Sequence, residues 1–192
     1  MKRYLYLTCA LLAVAAFSVP LLAEDKVNQP KDSFGRIDVA EVVVQQLKGS
    51  QFSLTLNWAN DQELAALTYP LLVTGKNFRM HYDSISWVGR AEYFSVKSSR
   101  PIDSMQQVLV GFINDLGEGK PPLADSSGTV ATLFFTAEVG KKKVDICDII
   151  VDTVFILPSN VLFAVTPGGK ANVHPEYRLV RISTDGKPVK CK

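Results

Sequence analysis

The stretch Gln51-Phe52-Ser53-Leu54-Thr55-Leu56-Asn57-Trp58 decides the fold class. Its large apolar residues, Phe52, Leu54, Leu56 and Trp58, take every second position, and polar residues fill the positions between. Successive side chains of a strand point to opposite faces, so a period of two places one set in a core and the other toward water. The stretch reads as a half-buried β-strand.

Outward from it, further β-rich runs lie at 41–46, 84–88, 92–96, 107–113, 129–137, 144–151, 160–165 and 177–182. Turn signals separate them: Gly49-Ser50, Gly75-Lys76-Asn77, the segment 117–122, Ser127-Gly128, Gly140 with Lys141 to Lys143, Pro167-Gly168-Gly169 and Asp185-Gly186. About nine short strands punctuated in this way predict an all-β, antiparallel sandwich or jelly roll rather than βαβ units. Residues 38–47 are acceptable as a helix by propensity, but Val42, Val43 and Val44 are stiff at χ1 and favour a strand. Residues 61–67 could form a single helical turn after Asn60. Pro70 suits an edge strand, because proline has no N–H to give a ladder.

The chain has 192 residues, 47% hydrophobic and 21% charged, the composition of an ordinary globular protein. Residues 1–23 read as a signal peptide: Lys2 and Arg3, an apolar run through Phe17, Pro20, then Ala23 before Glu24 and Asp25. Thr8, Ser18 and Pro20 interrupt the segment 1–23 and no basic cluster follows it, which argues against an uncleaved anchor. Cys9 lies too early in it for a lipid attachment site. Residues 24–36 are polar and form an expected flexible lead-in, and 37–192 the sandwich domain. The expected location is periplasmic or extracellular. Without Lys2 and Arg3, the 21 basic residues are reduced to match the 19 acidic ones, and a neutral chain has no field to attract nucleic acid. Cys147 and Cys191 remain, an even number in a chain sent to an oxidising compartment, and a disulfide between them is expected. The alternative is two unrelated thiols, a matter of geometry.

Several phrases in order resemble the cohesin-like β-sandwich domains of secreted bacterial proteins, which are related to carbohydrate-binding modules. They are the strand 52–58 flowing into Asn60-Asp61 and Leu64-Ala65-Ala66-Leu67-Thr68-Tyr69-Pro70-Leu71, then Asp83-Ser84-Ile85-Ser86-Trp87-Val88-Gly89-Arg90, the run 128–136, and Val151-Asp152-Thr153-Val154-Phe155-Ile156-Leu157-Pro158. The likeness covers most of 40–182. It implies a sandwich fold and a role in binding partner modules called dockerins, in adhesion or in polysaccharide contact. It implies no contact residues here. This sequence reads as one domain, with no Pro/Thr linker and no second copy, which argues against a role as a multivalent scaffold. Asn60 and Asp61 are expected to tie off backbone donors at a corner, with ligand or calcium oxygens as the minor alternative.

Catalytic signatures are absent from the sequence. His81 has Asp83 and Ser84 close by, but neighbouring strand residues point to opposite faces, which argues against a triad. His174 precedes Pro175 in a turn-like stretch without cysteines or acids around it. Gly119-Lys120 fails as a phosphate loop, because Asn114 stands where glycine is needed and Pro121 where Ser or Thr is needed. The acidic pairs Asp83 with Glu92, and Asp145 with Asp148, are candidate glycosidase carboxylates only if folding brings either pair together. Trp58 and Trp87 read as core, and Tyr82, Tyr93 and Tyr177 as the better candidates for an exposed sugar platform. Lys141 to Lys143 read as a charged hairpin tip.

The expectation is an exported, non-catalytic interaction module that binds a protein through a sheet face, with polysaccharide binding as the alternative and glycoside hydrolysis a distant third. It carries no catalytic residue, metal or cofactor, and its ligand-binding residues are unassigned.

Overall fold

A computed structural model describes residues 35–114, 121, 123–124, 126–139, 144–157 and 161–191. The expected signal peptide, most of the lead-in and Lys141 to Lys143 lie outside these.

Among the described residues eleven strands form two sheets, two more than the spacing of turn signals predicts. They are β1 (Val39–Gln46), β2 (Gln51–Asn60), β3 (Ala66–Gly75), β4 (Met80–Trp87), β5 (Val96–Ile102), β6 (Gln107–Ile113), β7 (Ser126–Ala137), β8 (Ile149–Thr153), β9 (Phe163–Val165), β10 (Asn172–Val173) and β11 (Glu176–Ile182). One sheet has the order β11-β1-β2-β7-β4; the other has β10-β9-β3-β6-β5, with β8 also on β3. Every pair is antiparallel except β1 with β11, which run parallel. No helix among the described residues is long and apolar enough to cross a membrane.

The alternation of β2 works as read: Phe52, Leu54, Leu56 and Trp58 are fully buried. Opposite them, Leu67, Tyr69, Leu71 and Val73 of β3 and Val108, Val110 and Phe112 of β6 fill the same core. Trp58 meets the Tyr69 ring edge-on, with centroids 5.5 Å apart at 84°, the geometry that sets ring edge against ring face. Residues 38–47 are strand from Val39 on, as their β-branched run requires.

Four local expectations give way. Residues 92–96 are not a strand: a 3-10 turn spans Gly89–Tyr93 and β5 starts only at Val96. Gly89 has φ +55°, and a Cβ there would lie 2.6 Å from the Thr129 carbonyl oxygen, so glycine turns the chain against β7. The run 144–151 is broken by a 3-10 turn at Ile146–Asp148, with the Asp145 carboxylate accepting from Cys147 N–H at 2.9 Å. No helical turn follows Asn60. Pro70 is not on an edge, since β3 is paired on both sides. It fits there because pairing with β9 ends at Thr68 and pairing with β8 begins at Leu71, so the missing N–H falls at a change of partner. One edge of this sheet is β5, guarded by Lys97, Arg100 and Pro101.

Cys147 and Cys191 are joined, with Cα atoms 5.4 Å apart. The bond fastens the C-terminal segment, which turns back on β11 through Ser183 N–H to Lys187 O and Val189 N–H to Arg181 O.

Candidate interaction face

Along β3 the core takes the odd-numbered residues, so Thr68, Pro70, Leu72 and Thr74 point outward. Register carries this outer surface across the sheet in rows: Thr68 beside Gly111 and Ser98, Pro70 beside Leu109 and Arg100, Leu72 beside Gln107 and Ile102. On the other flank Ile150 and Asp152 of β8 continue it beside Thr74 and Leu72. Pro70 is nevertheless buried.

The chain leaving β8 runs beside it. Val154 N–H donates to Pro70 O at 3.0 Å, Arg100 on the far strand donates to Leu157 O at 2.6 Å, and the Thr68 hydroxyl donates to Val161 O at 2.7 Å. Residues 154–157 thus form a strap that reaches from β3 out to Arg100 of β5, and Val161 lies back beside Thr68 of β3 ahead of β9. Ile156 within it is 3% exposed yet stands outside the main core cluster, a small second apolar contact. Its neighbours point the other way: Phe155 is 58% and Leu157 73% exposed. With Ile150 and Val161 they make four of the seven exposed large hydrophobic side chains among the described residues.

The residues singled out in the sequence lie elsewhere, mostly in structural roles. Asn60 holds the corner after β2: its Nδ2 donates to Gln62 O at 2.6 Å and Ala124 O at 3.1 Å, and its Oδ1 accepts from Arg90 Nη2 at 2.8 Å. The Asp61 carboxylate accepts from Arg36 N–H. Asn60 thus ties off carbonyls, where the sequence suggests backbone donors. Arg90, unassigned in the sequence, is the hub of this corner: it also donates to Trp58 O at 2.8 Å, Ser126 O at 3.2 Å and Ala124 O at 3.2 Å, and burial lowers its pKa.

Trp58 is core. Trp87 is half-buried, edge-on to Phe112 at 5.5 Å. Tyr82, Tyr93 and Tyr177 are likewise half-buried and packed on the core, so the three candidate rings do not form an outward row. The Tyr177 hydroxyl donates to Val151 O, and burial raises its pKa. His81 and Asp83 share the outer face of the first sheet, where Asp83 accepts from the Thr136 hydroxyl at 2.8 Å in the open. Glu92 is exposed on its 3-10 turn. Asp145 caps the turn before β8 while Asp148 pairs with Lys76 at 3.2 Å, so these two carboxylates serve separate partners. His174 is exposed between β10 and β11. Among the described residues no three His, Cys, Asp or Glu side chains converge on one point.

With the two sheets, their order and the strap in view, comparison with solved structures is decisive for the fold. In a cohesin–dockerin complex from Clostridium thermocellum, the cohesin OlpC with a dockerin, the match has a TM-score of 0.55 at 10% identity, over 81% of this chain and 99% of that one. The domain is a cohesin-like β-sandwich. The sixth cohesin of scaffoldin B from Acetivibrio cellulolyticus, solved with a Cel5 dockerin mutant, matches the cohesin-like chain with a TM-score of 0.51 at 9% identity, over 80% of it and 99% of its own length. The third ScaC cohesin of that organism, solved with a ScaB dockerin, matches at 0.50 and 16%, over 74% and 97%. No protein-family model and no curated protein matches the sequence of this cohesin-like domain.

Proposed function

We propose that this cohesin-like domain is an exported, non-catalytic module that binds a protein partner on the outer face of β8, β3, β6 and β5, with Phe155 and Leu157 as the first side chains buried. One observation carries the reading: two large apolar side chains stand more than half exposed on a strap that is itself fastened to the sheet at Pro70 and Arg100. Exposed apolar groups on a fixed platform gain from burial without the entropy of ordering a loose loop. The cohesins it resembles were solved with dockerins bound, which supports the class of function at the level of fold. Export rests on the signal-peptide reading together with the disulfide. The polysaccharide alternative has less support, because the candidate rings are packed inward. A hydrolase would need converging carboxylates, whereas Asp83, Asp145 and Asp148 each serve a separate neighbour and Glu92 is exposed on its turn.

The test is capture from the secreted proteome on immobilised wild-type chain, set beside a Phe155→Asp, Leu157→Asp double variant of unchanged Tm. A captured protein whose binding falls more than tenfold in the variant supports the reading. No capture, equal capture by the variant, or retardation in polysaccharide gels that the variant retains would overturn it.

A further inference from the structure

Asp38 stands one residue before β1 and is 2% exposed. Its carboxylate accepts from Gln62 Nε2 at 2.9 Å, Trp58 Nε1 at 3.3 Å and Asp61 N–H at 3.4 Å. All three donors are neutral, and among the described residues no ion pair includes it. Asp61 brings a second negative charge close to it. Asp61 Oδ1 and Gln62 Oε1 are also buried, and among the described residues no donor reaches either. Among the described residues acceptors outnumber donors at this corner, an expensive imbalance at low dielectric.

The charged groups around it do not correct the imbalance. Arg90, on the turn after β4, attracts the Asp38 charge from a distance but directs its N–H groups at Asn60 Oδ1 and three main-chain carbonyls. Arg36 gives its main-chain N–H to Asp61. Glu176 of β11 gives its N–H to the Asp38 carbonyl and turns its carboxylate to Arg178. Glu63, beyond Gln62, is exposed.

We propose that the corner of Asp38, Asp61 and Gln62 is a proton-binding site that stabilises the folded domain in mildly acidic surroundings. A proton on Asp38 removes its repulsion with Asp61 and supplies the missing donor, and a half-turn of the Gln62 amide presents Oε1 to receive it. Burial, the largest effect on this carboxyl, pushes it from 3.8 up to about 6. Between those values the folded chain holds a proton that the unfolded chain has released, so stability falls as pH rises through the interval. A salt-bridged carboxylate does the opposite.

Thermal unfolding of the full chain at pH 5.0 and 7.5 tests this. The wild type is expected to melt about 4 °C higher at pH 5.0, and Asp38→Asn to abolish that difference. A wild type no more stable at pH 5.0, or a difference that survives in Asp38→Asn, overturns the proposal. Should the variant not fold, the carbon-13 shift of the wild-type Asp38 carboxyl is followed against pH. A midpoint near 6 is expected, and a midpoint at or below about 4 overturns the proposal.

Discussion

The Tyr69 hydroxyl of β3 donates to the main-chain carbonyl of Asn57 in β2, 2.6 Å away across the core. Asn57 is where β2 slips register against β7, between Leu56 and Asn57, so a buried side chain from one sheet satisfies the bulge of the other. Around the same residue the Thr129 hydroxyl donates to Asn57 Oδ1 at 2.8 Å and Asn57 Nδ2 donates to Glu41 at 2.9 Å. Burial keeps the Tyr69 phenol neutral by raising its pKa well above the ordinary value.

Tyr69→Phe keeps the ring against Trp58 and leaves the Asn57 carbonyl without its partner. A loss of about 1–2 kcal/mol is expected, read as a lower urea midpoint at unchanged slope. A variant within 0.5 kcal/mol of wild type, on the order of an ordinary surface substitution, would show that the bulge does not depend on this bond.

Arg90→Lys retains the charge and loses the planar fork. One ammonium cannot reach Trp58 O, Ser126 O, Ala124 O and Asn60 Oδ1 together. The expected cost is about 2 kcal/mol, with Arg90→Ala costing more. Equal stability of the Lys variant would mean that charge alone matters at this corner.

Cys147 and Cys191 are 44 residues apart in sequence, and closing a loop of that size is worth about 4 kcal/mol by chain entropy. Cys191→Ser is expected to lower Tm by about 8 °C or more, and reduction of the wild type to do the same. A fall under about 2 °C in both would show that packing of Val189 holds the C-terminal segment unaided.

Local rules carried far in this chain because two-residue periodicity is a property of the strand itself. Residues 52–58 show their buried face in the order of their side chains, and the valines 42–44 state their preference through χ1 stiffness. The cysteine pair was legible from count and compartment. Where the sequence misled, a long-range neighbour had overruled a local signal. Tyr93 and Phe94 look like strand residues, but Gly89 must turn because the Thr129 carbonyl lies against it. Pro70 looks like an edge residue, yet it sits inside a sheet where one neighbouring strand ends and another begins.

The candidate face was least visible. Phe155, Ile156 and Leu157 are three consecutive apolar residues, and nothing in their order tells that Ile156 is buried while its neighbours face solvent. That division depends on Arg100, 57 positions from Leu157, and on Thr68, 93 positions from Val161. Asp38 and Arg90 were silent for the same reason, their partners being 20 to 36 positions away.

By itself the sequence determined that the chain forms strands, which side of each strand is oily, and which cysteines are available to join. These follow from chirality, χ1 preference and a period read within a few residues. Tertiary structure alone decided the order of the strands, the partner change that admits Pro70, the strap across the outer face and the acceptor-rich corner at Asp38. Each of those is a balance of burial and hydrogen bonding between residues distant in sequence, and that balance exists only after the two sheets have closed on one another.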